Sequence, residues 1–178
     1  MKILLNIYKQ STMTSSISHN IKQRDNANDV FITPLELAKT HIDMIDSRDD
    51  DVWYDPFKND GSYYNQFPTE HREWTEILQG KDFFEYDGKP TVICSNPPYS
   101  MIDRVLEKSI SLKPRIISYL IGVQNLTARR MEMMENAGYK IKSLHMCKVF
   151  KWYGMSACVV WDNTIEKSIF SFDRVVWK

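Results

Sequence analysis

The chain has 178 residues, of which 43% are hydrophobic and 26% charged, and its 23 basic residues balance 23 acidic ones to a formal net charge of zero. That is enough chain for one domain with an ordinary core. It excludes the basic excess of a dedicated non-specific nucleic-acid binder and any apolar run near the ~18 residues of a membrane span. Cys94, Cys147 and Cys158 lack paired spacing, and His19, His41, His71 and His145 are scattered. No disulfide framework or metal centre is therefore expected, and the setting is expected to be reducing and intracellular, cytoplasmic. Met1–Ile7 is too short and too soon interrupted to read as a signal peptide.

Residues 1–29, polar and aperiodic over 11–29, predict a flexible N-terminal arm. Order is expected from Val30-Phe31-Ile32. Thr33-Pro34 then reads as a helix N-cap followed by proline at the first helical position, with Leu35, Leu37, Ala38, His41, Ile42 and Ile45 at helical spacing. The run Ser47–Asp51 reads as a solvated loop. Val52-Trp53-Tyr54 predicts a strand that stops at Asp55-Pro56-Phe57; a turn at 58–62 and a short helix over Tyr63–Phe67 follow. Trp74–Leu78 predicts a second strand broken by Gly80, and Asp82–Tyr86 a loop closed by Asp87-Gly88. Thr91–Cys94 predicts a third strand, which runs into Ser95-Asn96-Pro97-Pro98-Tyr99. Two adjacent prolines remove two backbone donors and bar helix before them, so this tetrad is stiff and presents carbonyls beside an Asn amide oxygen. Met101–Ile110 reads as an amphipathic helix, Pro114–Ile121 as a buried strand, and Asn125–Asn136 as a helix capped by Gly138. Three strand-like stretches occupy 140–177. The alternation predicts an α/β fold: a single-domain, doubly wound, Rossmann-like sheet ending in a β-hairpin. In such sheets ligands sit at strand carboxyl ends, where Asp55-Pro56-Phe57 and Asn96–Tyr99 both fall.

The tetrad Asn96-Pro97-Pro98-Tyr99 after a strand resembles the catalytic motif of amino-methyltransferases that use S-adenosylmethionine (SAM), most closely the DNA N6-adenine enzymes. Asp55-Pro56-Phe57 followed by Gly61 resembles their cofactor loop, with one glycine where the family is glycine-richer. Asp82-Phe83-Phe84 resembles their Asp-aromatic segment, whose Asp accepts from the adenine amino group of SAM and whose aromatics stack or wall the pocket. Val30-Phe31-Ile32-Thr33-Pro34 resembles the segment that precedes the cofactor loop and packs on the methionine end. Glu76, about 20 residues after Asp55, is the expected partner of the ribose hydroxyls, with Glu70 and Glu73 as competitors. The four motifs stand in the family's order.

The resemblance implies SAM as cofactor, held by Phe31, Thr33, Pro34, Asp55, Pro56, Phe57, Gly61, Glu76, Asp82 and Phe83, and catalysis by Asn96, Pro97, Pro98 and Tyr99, with no metal. It implies methyl transfer to adenine N6 in DNA by residues 30–178. Such enzymes usually carry a separate target-recognition domain; with only 79 residues after the tetrad and zero net charge, this one is expected to lack it, and to have either a loose sequence preference or specificity borrowed from a partner subunit. Lys142, Lys148, Lys151, Trp152 and Tyr153 form a basic, aromatic stretch that reads either as a nucleic-acid contact or as a solvated hairpin. The alternatives are an RNA adenine or protein-glutamine methyltransferase, or a degenerate methyltransferase fold serving as a binding subunit.

Overall fold

A computed structural model describes residues 31–149 and 154–172. The chain divides into two units, 1–31 and 32–178; the sheet belongs to the second. The arm expected over 1–29 and the residues Lys151-Trp152-Tyr153 lie outside the described residues.

Six strands form one sheet: β1 (Trp53–Asp55), β2 (Arg72–Trp74), β3 (Val92–Ser95), β4 (Ile116–Gly122), β5 (Lys140–Cys147) and β6 (Ser156–Asp162). Their order is β2-β1-β3-β4-β6-β5. The first four are parallel, and β6 runs antiparallel between β4 and β5. The expected closing hairpin is thus β5–β6, with its second strand inserted against β4. β1, β3, β4 and β6 are buried along their whole length, as β-branched and aromatic runs must be when both sheet faces are covered.

Successive side chains go to opposite faces, and each face has its own helices. Trp53, Val92, Cys94, Ile116 and Val160 pack with Ala38 and Ile42 of α1 (Leu35–Ile42) and with Tyr63 and Phe67. Tyr54, Ile93, Ile117, Tyr119, Val159 and Trp161 pack with Ile102, Val105 and Leu106 of α2 (Ile102–Ser111) and with Met131 and Met134 of α3 (Ala128–Asn136). The sheet is therefore doubly wound. Its chain direction switches between β1 and β3, since β1 leads outward to β2 while β3 leads the other way to β4.

Several boundaries differ from the sequence reading. β2 spans Arg72–Trp74 and shares only Trp74 with the strand expected over Trp74–Leu78. Its partner β1 stops at Asp55, opposite Trp74, and Pro56 has no N–H to continue a ladder; Ile77–Gln79 instead forms a 3-10 turn ended by Gly80 at φ 75°. The short helix expected over Tyr63–Phe67 is a 3-10 turn, Tyr64–Gln66. Helix α3 begins at Ala128, capped by Thr127, after a separate 3-10 turn at Val123–Asn125. Pro34, not Thr33, occupies the N-cap of α1. Asp51, expected in a solvated loop, is 1% exposed: it accepts from the Arg48 N–H and the Thr91 hydroxyl and pairs with Arg115 at 2.6 Å. The third strand-like stretch of the C-terminal region forms no strand among the described residues.

Candidate active site

The switch point between β1 and β3 places two strand ends side by side. Trp53 and Tyr54 pair with Val92 and Ile93, so Asp55 and Ser95 end neighbouring strands. Asp55 is fully buried. Its Oδ1 accepts from the Ser95 hydroxyl at 2.6 Å and the Phe57 N–H at 3.2 Å, and its Oδ2 from the Tyr64 N–H at 3.3 Å. Burial pushes its carboxyl up to about 7 against the pull of these hydrogen bonds. Asp55 thus holds the cofactor-type loop to β3 from inside; none of its surface faces solvent.

Within that loop, Gly61 sits at φ +90°. A Cβ there would come within 2.6 Å of Asn65 Nδ2, and its N–H and C=O close turns with Lys58 and Asn65. The conformation demands glycine here, while the Asn65 amide could swing aside from a Cβ. The requirement comes from the turn itself.

After β3 the tetrad leaves the sheet. Pro97 is buried, while Asn96, Pro98 and Tyr99 are half-buried. Pro98 starts the 3-10 turn Tyr99–Met101 that leads directly into α2, and its carbonyl accepts the Met101 N–H at 3.2 Å. Asn96 donates from Nδ2 to Thr33 Oγ1 at 3.2 Å. Arg130 and Arg129 of α3 both bind Asp103 in the first turn of α2, at 2.7 and 2.6 Å. Arg130 also reaches the Asn125 carbonyl after β4. The two helix starts behind the tetrad are thereby fixed to each other.

Beside the tetrad opens a pocket of about 310 Å³. From the sequence-predicted set it gathers Pro56 and Phe57 after β1, Glu76 after β2, Asp82 and Phe83 before β3, and Pro98 of the tetrad. Glu76 is oriented by two backbone donors, Asn59 N–H to Oε2 at 2.8 Å and Leu78 N–H to Oε1 at 3.1 Å. Asp82 accepts the Phe84 N–H at 2.8 Å. Phe83 packs edge-on against Phe57, with centroids 5.2 Å apart. Thr33 contacts Asn96 and Pro34 caps α1; neither lines this pocket, and Phe31 falls in the preceding unit, 1–31.

Phe84, the second aromatic of the Asp-aromatic segment, also lines the pocket, and the sequence reading missed three lining residues: Ile77, Met101 and Arg104. Ile77 had a usable signal, an apolar residue directly after the strand-end Glu76, left 66% exposed by the fold. Arg104 lies in the first turn of α2 with its guanidinium 4.4 Å from the Phe84 ring, a contact no local pattern announces. A wider groove of about 490 Å³ follows the open edge of β2 and holds Trp74, Tyr64, Arg72 and Lys81. Its mixed charges and its lack of any tetrad residue set it apart. Among the described residues, no group of three His, Cys, Asp or Glu side chains could hold a metal ion, and no helix is long and apolar enough to cross a membrane.

No family model matches the chain, and no curated protein does. Solved structures do. The chain is similar to magnesium protoporphyrin IX methyltransferase from Synechocystis PCC 6803 with bound SAM, at 10% identity and TM-score 0.56 over 72% of this chain and 79% of that one. It is similar to precorrin-6y C5,15-methyltransferase from Geobacter metallireducens GS-15, at 14% identity and TM-score 0.53 over 74% and 90%. It also resembles the Pyrococcus abyssi tRNA (uracil-54, C5)-methyltransferase in complex with S-adenosyl-L-homocysteine, at 14% identity and TM-score 0.51 over 71% of this chain and 37% of that one. With the strand order and the double winding already established, the chain has the fold of the SAM-dependent methyltransferases.

Proposed function

We propose that the protein transfers a methyl group from SAM to the exocyclic N6 amine of adenine in DNA. The observation that carries this reading is the position of Asn96-Pro97-Pro98-Tyr99. The tetrad ends β3 at the switch point and shares, through Pro98, the pocket formed by the ends of β1 and β2. The pocket's donor set fits SAM: two oriented carboxylates, Glu76 and Asp82, stand among the apolar surfaces of Ile77, Phe83 and Pro98. Carboxylates suit the ribose hydroxyls and the adenine amine, and flat apolar walls suit the ring. Glu76, Asp82, Phe83, Ile77 and Pro98 would hold the adenosyl part. Asp55 would act indirectly, by fixing the loop that carries Phe57.

When bound, SAM supplies an activated methyl group on a sulfonium centre. The chain's own residues handle the target amine, a poor nucleophile because its lone pair is delocalised into the ring. Asn96 Oδ1 and the Pro97 carbonyl accept its two hydrogens, which favours a tetrahedral nitrogen with a localised lone pair. Tyr99 stacks on the target base, which in a duplex leaves the helix stack first. The protein contributes positioning, plus acceptors whose interaction strengthens as positive charge grows on nitrogen. The surplus proton of the product passes to solvent.

The zero net charge supports either a loose sequence preference of its own or specificity borrowed from a partner subunit. A transfer assay with methyl-labelled SAM across double-stranded DNA, single-stranded DNA, RNA and glutamine-containing protein tests the reading. Label recovered as N6-methyladenine in DNA supports it. Label found only in RNA or in a protein amide replaces the substrate class, and failure to bind SAM favours a binding subunit.

A further inference from the structure

The sequence marks Thr33-Pro34 as a helix start, yet the helix does not use the Thr33 hydroxyl. Pro34 takes the cap position, and no side chain closes the first turn of α1. Thr33 is nonetheless only 4% exposed, and its Oγ1 accepts the Nδ2–H of Asn96 at 3.2 Å, across 63 residues of sequence. A threonine in a capping pattern that leaves its helix uncapped, and instead meets the key amide of the tetrad, has a different task.

The two ends of a primary amide have nearly the same shape and opposite chemistry: Nδ2 only donates, Oδ1 only accepts. A flipped amide would point a donor at the donor hydrogens of an amine. The amide is therefore useful only when its plane and its direction are both held.

We infer that Thr33 is a positioning residue for Asn96: by accepting one Nδ2 hydrogen it anchors the amide plane, with Oδ1 as the face that accepts from the target amine. This rests on the amino-methyl-transfer reading above, and it moves Thr33 from the cofactor wall, where the family resemblance places it, to the target side. The hydroxyl sets the plane, and the amine's own hydrogens complete the choice of face. Because the contact is made through Asn96 and not through the cofactor, its removal acts on turnover and spares SAM binding.

The test is kcat at saturating SAM, together with the SAM dissociation constant from calorimetry, for Thr33→Val, Thr33→Ala and Thr33→Ser. Losing one neutral hydrogen bond predicts a fall of about 3–10-fold in kcat for Val and Ala, with unchanged SAM affinity and recovery of most of the rate by Ser. In an Asn96→Asp background there is no amide to orient, so Thr33→Val should cost much less than in the wild type. Thermal melting identifies any variant that fails to fold, and the Ala and Ser variants then carry the comparison. Wild-type kcat in Thr33→Val overturns the inference, as does a loss confined to SAM affinity. A wild type that binds SAM but methylates no amine brings down the parent reading, and this inference with it. Activity in the wild type with indifference at Thr33 brings down this inference alone.

Discussion

Ser95 Oγ donates to Asp55 Oδ1 at 2.6 Å, joining the last residue of β3 to the last residue of β1. The bond spans the switch point of the sheet, and both partners are wholly buried. It sets the distance between the loop that follows Asp55 and the tetrad that follows Ser95. Ser95→Ala removes a donor from a buried carboxyl, which should cost about 1–3 kcal/mol, the scale for leaving a buried polar group short of a partner. Urea unfolding measures it; a change below a few tenths of a kcal/mol would mean that the two strand ends are held by the ladder alone.

Two buried groups give opposite pH dependences. Burial holds His41 neutral, its imidazole lowered from 6.5 to about 3; Nδ1 contacts the Tyr63 hydroxyl at 2.9 Å and Nε2 the Ser118 hydroxyl at 2.7 Å. Unfolding therefore takes up a proton below pH 6.5, and the stability from His41 rises with pH from about 3 to 6.5. Asp55 is raised from 3.8 to about 7, so its contribution is full below 3.8 and falls as pH rises towards 7. Between pH ~4 and ~6.5 the two slopes, each about 1.4 kcal/mol per pH unit at most, largely cancel. Asp55→Asn should unmask a steep acid-side loss, and His41→Gln a loss on going from pH 4 to 7. Parallel stability–pH curves for both variants would refute the assignment.

Arg115 and Asp51 form an ion pair at 2.6 Å with side chains 9% and 2% exposed, tying the start of β4 to the loop before β1. Asp51→Ala leaves the guanidinium without its buried partner and should cost about 3–5 kcal/mol. A melting temperature within a degree or two of wild type would show that water replaces the carboxylate.

The parts of this fold that were legible in the sequence are those whose cause is local. Val92–Cys94 is apolar and β-favouring, and the prolines at 97 and 98 end it wherever the sheet lies. The four-motif order located β1, β3 and six of the pocket residues. What escaped depends on distant partners. The end of β2 is set by where β1 stops. Asp51 looks solvated inside an acidic run until Arg115 and Thr91 are folded onto it. His41 sits at apolar helical spacing, yet it is a hydrogen-bonded core residue. Thr33 carries a capping signature, yet Pro34 takes the cap position and no side chain caps the helix.

Asp82 and Glu76 face the pocket from the one connection between β2 and β3. Asp82→Asn keeps the acceptor for the Phe84 N–H and removes the charge, so the local turn should survive. SAM binding should weaken by about 1.5–3 kcal/mol, roughly 10- to 150-fold in dissociation constant. Calorimetry on the folded variant checks this, and an unchanged affinity would remove Asp82 from the adenosyl site.

The most direct measurement compares wild type and Asn96→Ala for methyl transfer from labelled SAM to adenine in DNA, with SAM affinity and melting temperature recorded on the same preparations. The Asn96 amide acts mostly in the transition state. The variant should therefore lose transfer almost completely while it binds SAM and melts like the wild type. Near-normal turnover by Asn96→Ala would contradict the mechanism outright.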